Sequence, residues 1–265
     1  MPDAHDKRND VSRFYASAIK RGSCGCGCGP APSKSALPAG YRDEDLNRLP
    51  DGESSFGCGN PLAFAAVKEG EVVLDLGAGA GLDLLIAAEK VGPTGRVIGV
   101  DMTDAMIEAA QANIARAGLA NVEVRKGIIE ALPVGSDSVD HVISNCVINL
   151  SPEKPKVFAE IARVLRPGGR IRISDIVAEE LPDWIRADPD LYGACIGGAI
   201  PEAAYIAGLQ VAGLVDVEVV ERLVYDAEQV GELTDVASTC CGGRDPRLAG
   251  LVGKIWSATF AGRKP

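Results

Sequence analysis

The stretch from Glu71 to Gly81, EVVLDLGAGAG, limits the possible folds more than any other part of the chain. An apolar run that stops at closely spaced glycines reads as a strand buried on both faces and turning straight into a helix. The next hundred residues repeat the pattern. LDLLIAAEKVG has helical spacing and a closing glycine, RVIGVDM reads as a second strand, and DAMIEAAQANIARAG as a second helix closed by glycine. VEVRKG, VDHVISNCVINL and GRIRISDIV supply further strands, with PEKPKVFAEIARVLRPGG as a helix before the last of them. Strand and helix alternating in this way predict an α/β fold, a parallel sheet with helices on both faces.

The flanks differ from this core. Residues 1–60 read as an N-terminal arm. They hold a short helical stretch, VSRFYASAIKR, and then GSCGCGCGPAPSKSALPAGY, whose glycine, proline and serine content predicts mobility. Residues 61–182 form the sheet domain. Residues 183–265 read as a smaller C-terminal α+β region, mostly helical at first and then with LVDVEVVERL and KIWSATFAGRK as strands. A net charge of −10 argues against a nucleic acid partner, which needs a concentrated basic face. No apolar run reaches the length of a membrane span, and MPDAHDKRND lacks the apolar stretch of a secretion signal. The expectation is a cytoplasmic protein.

The loop DLGAGAGLD places Gly77, Gly79 and Gly81 at the carboxyl end of the first strand, with Asp75 just before. Glycine permits a sharp turn and close approach by a ligand. The spacing is G-x-G-x-G and not the G-x-G-x-x-G of dinucleotide oxidoreductases. Asp101 ends the second strand, where a carboxylate can accept two hydrogen bonds from a ribose diol. A nucleoside site fits; a tight packing turn, with Asp101 capping the next helix, is the plainer alternative.

Eight cysteines without a secretion signal point to metal, metalloid or redox chemistry and away from a disulfide framework. Of the two histidines, His5 lies far from any cysteine and His141 stands five residues before Cys146, and neither belongs to the usual mixed Cys/His zinc pattern. Cys146, in SNCVINL, ends the fourth strand at the edge where open α/β sheets bind ligands. The residues beside it are Asn145 and Asn149, not a general acid or base. Cys58, in SSFGCGNP, and Cys195, in DLYGACIGGAI, each have glycine close by. Thiolates select soft acceptors, and trivalent arsenic takes three sulfurs in a pyramid. Cys58, Cys146 and Cys195 together could supply them. Taken singly, Cys146 and Cys195 are each more commonly read as packing, a small buried hydrophobe.

The segments VLDLGAGAG, VIGVDM, GIIEALP, VDHVISNCVINL and RVLRPGG resemble, in order, the Rossmann-like S-adenosylmethionine-dependent methyltransferases. FGCGNP, SNCVINL and LYGACIGGAI narrow the resemblance to the arsenite methyltransferases. That resemblance implies that Gly77, Gly79 and Asp83 line the methionine end of S-adenosylmethionine, with Asn145 beside its amino acid portion. Asp101 would hold the ribose, while Met102, Ile129 and Glu130 would border the adenine. It further implies Cys146 and Cys195 as principal arsenic ligands, with Cys58 as third ligand and redox partner. Phe56 stands where the family often has tyrosine. Cys24, Cys26 or Cys28 would pair with Cys58, and glutathione or thioredoxin would reopen the disulfide. Cys240 and Cys241 read equally as incidental or as accessory ligands. Arsenite or its thiol adducts would be the substrate, and methylation would detoxify it. A methyltransferase for a small organic acceptor and a non-catalytic metalloid-binding protein remain the alternatives.

Overall fold

The computed structural model describes residues 3–21, 67–230 and 246–265. Phe56, Cys58, Cys24, Cys26, Cys28, Cys240 and Cys241 lie outside the described residues, and so do the roles expected of them. Numbered among the described residues, the helices are α1 (Ala4–Arg21), α2 (Leu82–Val91), α3 (Asp104–Ala117), α4 (Lys154–Val164), α5 (Asp183–Ala187), α6 (Pro189–Gly193) and α7 (Glu202–Val211). The strands are β1 (Val72–Leu76), β2 (Arg96–Asp101), β3 (Val122–Lys126), β4 (Val139–Asn145), β5 (Leu165–Ala178), β6 (Val215–Val224) and β7 (Ile255–Arg263).

The seven strands form one sheet in the order β3-β2-β1-β4-β5-β7-β6. β1 to β5 pair in parallel, whereas β7 runs antiparallel to both β5 and β6. The C-terminal region is therefore not a separate layer, because its two strands extend the central sheet. The order steps outward from β1 in both directions, so the carboxyl ends of β1 and β4 sit side by side at the point of reversal. That is where doubly wound sheets open a crevice. One face is closed by α4 and α7 over Leu74, Val142, Ile173 and Phe260; the other by α2 over Val73, Val97 and Ile143.

Two expected elements end early, each for a local reason. The helix before β5 stops at Val164 rather than running through Gly169. Pro167 disfavours helical backbone at Arg166. β5 starts at Leu165, opposite Val139, and regains register at Arg170 opposite His141. Likewise β4 does not continue through SNCVINL. Cys146 has φ +57, its N–H is donated to the Ser174 carbonyl at 2.8 Å, and Ile148–Leu150 form a single 3₁₀ turn. The N-terminal segment also departs from a free arm over its first part, since α1 packs on the domain with Val11 buried. Among the described residues no helix is long and apolar enough to cross a membrane.

The sheet can be probed at two points. Phe260 is fully buried on β7 and stacks on Tyr205, with centroids 4.3 Å apart and planes 7° from parallel. Phe260→Ala should cost about 3–5 kcal/mol of unfolding free energy in urea titrations. His141 lies buried at the opposite, amino end of the sheet. Arg170 donates to its Nε2 at 2.6 Å, and Glu71 lies 2.9 Å from the same nitrogen. Burial, then the Arg170 charge, pushes the imidazole pKa below its ordinary value. The unfolded histidine binds its proton near pH about 6.5, before the folded one does, so acidification through that range favours unfolding. His141→Gln should flatten the fall in stability as pH drops through that range, whereas an unchanged slope would assign the acid sensitivity elsewhere.

Candidate active site

The carboxyl edge of the sheet carries a cavity lined by the glycine loop, the end of β2, the segment after β3 and the turn after β4. Gly77 has φ +71, a conformation that penalises any side chain. A Cβ there would lie 2.2 Å from Cγ2 of Val147, so the turn after β4 presses directly on the loop. Asp101 fixes the loop from the other side. Its Oδ2 accepts from the Gly79 N–H at 3.0 Å and its Oδ1 from the Thr103 N–H at 2.8 Å. Asn113 of α3 completes the clamp by donating to the Ala80 carbonyl at 2.9 Å. The Met102 N–H and the Thr103 hydroxyl add to these bonds, so the carboxylate is tied closely to the loop and to the start of α3. Burial pushes its pKa up and the amide donors oppose that shift.

Gly77, Gly79, Asp83, Asp101, Met102, Ile129, Glu130 and Asn145 all line this cavity. Asn145 Nδ2 lies 3.4 Å from Asp83 Oδ2, at the first turn of α2. Glu130 Oε1 accepts from Arg8 at 3.0 Å and from the Ser151 hydroxyl at 2.7 Å. Asp75 stands apart. It is buried within β1 and does not line the cavity; burial first, then the charges of Asp83 and Asp101, pushes its carboxyl well upward.

Cys146 lines the same cavity, on the turn after β4, and is disulfide-bonded. Cys195 follows α6 and is a free, buried thiol. The chain brings these two positions together: Cys195 Sγ donates to the Cys146 carbonyl oxygen at 2.6 Å. Both residues have positive φ, +57 and +65. Burial pushes the Cys195 thiol strongly upward, and Asp175 adds to this, in keeping with a sulfur that retains its proton. Asn149, fully buried, joins the two segments. Its Nδ2 donates to the Cys195 carbonyl at 3.1 Å and to the Ile176 carbonyl at 2.6 Å, and its N–H to Asp175 at 3.0 Å. A Cβ on Gly198 would stand 1.9 Å from the Asn149 carbonyl oxygen. One of the glycines near Cys195 is therefore what lets its loop meet the β4 turn.

The chain matches the methyltransferase-domain family over residues 67–235. It belongs to that family. Among curated relatives, the arsenite methyltransferase of Halobacterium salinarum is 46% identical over 228 residues, covering 85% of this chain and 55% of the relative. Human arsenite methyltransferase is 34% identical over 205 residues, covering 73% of this chain and 54% of the relative. The chain thus spans about half the length of the curated relatives it matches. The crystal structure of an arsenic (III) S-adenosylmethionine methyltransferase from Chlamydomonas reinhardtii superposes with a TM-score of 0.60 at 36% identity. That match covers 89% of this chain and 74% of the other.

This methyltransferase domain carries a wall that the sequence did not announce. Arg8, Val11 and Tyr15 line the cavity from α1. Their i, i+3, i+7 spacing puts them on one helix face. That spacing was legible, but a single mixed stripe of charge, valine and tyrosine does not say what it covers. Gly77→Ala should weaken S-adenosylhomocysteine binding far more than it lowers the melting temperature. The left-handed conformation alone costs about 1–2 kcal/mol, and Val147 must also move. Unchanged affinity by calorimetry would show that the loop can yield.

Proposed function

We propose that this chain transfers a methyl group from S-adenosylmethionine to trivalent arsenic held on cysteine sulfur. The observation that carries the reading is that Cys146 lines the cavity and the Cys195 thiol, just behind it, donates to the Cys146 carbonyl oxygen. The cavity-lining carboxylates are already engaged, Asp83 with Asn145, Asp101 with Gly79 and Thr103, and Glu130 with Arg8 and Ser151. Among the described residues no histidine lines the cavity. Such a wall suits an acceptor that brings its own lone pair and requires no base.

The residues fit the cofactor. Asp101 would hold the ribose hydroxyls, Asp83 and Asn145 the amino acid end, and Met102, Ile129 and Glu130 the adenine. When bound, S-adenosylmethionine supplies an electrophilic methyl group on a sulfonium centre. Cys146 and Cys195, with Cys58 as the third sulfur, would fix arsenic at the mouth of the cavity, and arsenite would exchange onto them from a thiol adduct. Holding two reactants in near-attack geometry can supply about 7–11 kcal/mol of the barrier. The disulfide at Cys146 would have to be opened before that sulfur could bind, a step suited to a thiol reductant such as glutathione or thioredoxin. The outcome would be arsenic detoxification.

The reduced protein, incubated with arsenite, S-adenosylmethionine and glutathione, should produce methylated arsenic together with equimolar S-adenosylhomocysteine. Cys146→Ser and Cys195→Ser should each abolish that product while leaving S-adenosylhomocysteine affinity intact. Arsenic binding without turnover would make the chain a metalloid sink. S-adenosylhomocysteine formed without methylated arsenic, and unaffected by both substitutions, would point to a small organic acceptor.

A further inference from the structure

Among the described residues, two polar atoms touch the Cys195 sulfur. It donates its proton to the Cys146 carbonyl oxygen at 2.6 Å, and the Tyr15 hydroxyl oxygen lies 3.8 Å away. Tyr15 directs its own proton to the Gly193 carbonyl oxygen at 3.1 Å. In the free thiol both protons therefore have acceptors, and the tyrosine–sulfur contact is a long one. Tyr15 also lines the cofactor cavity from α1. It thus touches both halves of the site, although nothing in the sequence set it apart from the helix around it.

Resting on the arsenic reading above, we propose that the Tyr15 hydroxyl is a positioning group for Cys195, turning onto its sulfur when arsenic replaces the thiol proton. The exchange balances simply. Cys195 Sγ forms a bond to arsenic, the bond from arsenic to a small thiol breaks, and the cysteine proton leaves on the departing thiol with no change of oxidation state. Sγ is then an acceptor only, and the Cys146 carbonyl has lost its donor. A rotation about the tyrosine C–O bond carries the O–H from the Gly193 carbonyl towards the sulfur. A hydrogen bond to a charged or strongly polarised sulfur is worth more than the neutral one it replaces. It also fixes the direction in which Sγ presents arsenic. Because the hydroxyl rides on α1, whose Arg8 and Val11 border the cofactor, the helix would hold sulfur and cofactor in one register.

Tyr15→Phe tests this, since it keeps the ring, its packing and the cavity wall and removes only the hydroxyl. Wild type and variant would be compared as full reduced chains with arsenite and glutathione. The readouts are steady-state methylation, S-adenosylhomocysteine affinity, melting temperature and the arsenic–sulfur coordination number from X-ray absorption. The expected result is a KM for arsenite raised about tenfold, the size of one lost hydrogen bond to a charged group. Cofactor affinity and melting temperature should stay the same, and the arsenic–sulfur shell should be looser or one sulfur short. An active wild type with an unchanged variant would overturn the positioning role and leave the arsenic reading standing. Equal losses of cofactor affinity, melting temperature and turnover would make Tyr15 a packing residue and overturn it as well. A wild type that neither binds nor methylates arsenic would remove the arsenic reading and this inference together.

Discussion

A run of parallel strands releases every following loop at the same edge of the sheet, and the arrangement of this molecule depends on that constraint. β1, β2 and β4 end side by side, so the glycine loop, Asp101 and Cys146 are neighbours in space although they are spread along the sequence. Closeness alone would leave three wandering loops. The Asp101 carboxylate ties the first loop to the second through the Gly79 and Thr103 amides, and the bare α-carbon of Gly77 admits Val147 from the third. The edge thus becomes a rigid cavity wall held by hydrogen bonds between the loops.

The thiol side is held by different means. Cys195 comes from a loop that no strand register fixes, and a buried amide is central to its attachment. Asn149 bonds to the Cys195 loop, to β5 and to Asp175 at once. Beside it lie two buried titratable groups, Asp175 and Lys154. Desolvation pushes Asp175 up and Lys154 down, each partner's charge opposes the other's shift, and Tyr205 donates a hydrogen bond to the aspartate. Lys154 in turn donates to the Asn149 carbonyl at 3.2 Å. Removing one member of such a network leaves the others buried and unsatisfied. A network of that kind specifies one arrangement of the loop more strongly than it stabilises the fold.

The same division separates the parts of the molecule that the sequence disclosed from those it hid. The sheet was legible because its strands are apolar runs and its helices close on glycine, both local signals, and the cavity-lining residues lie at the ends of those runs. Asp75 was grouped with them by proximity in sequence, but the alternation of a strand turns successive side chains to opposite faces, and it stays inside. The premature end of β4 was hidden because SNCVINL is apolar enough to continue a strand, and only the tertiary bond from Cys146 N–H to Ser174 shows where the ladder stops. Arg8, Val11 and Tyr15 were out of reach for a related reason. Their partners, Glu130 and the Cys195 loop, stand more than a hundred residues away, and no local pattern encodes where a terminal helix docks.

Backbone strain separates the two cysteines from ordinary core packing. Four non-glycine residues among those described have positive φ: Asp137, Cys146, Cys195 and Asp216. The aspartates are exposed, and a short polar side chain tolerates that conformation. The cysteines are buried and gain nothing of the kind. A cysteine serving only as a small hydrophobe would sit in relaxed backbone, since the left-handed region costs about 1–2 kcal/mol for a residue with a Cβ. Here the conformation is imposed twice, at two positions whose main-chain and side-chain atoms meet, by a bond to Ser174, a bond from Asn149 and a glycine that removes the obstructing side chain. Several independent contacts hold that strain in place, which is the condition under which such backbone persists in buried residues.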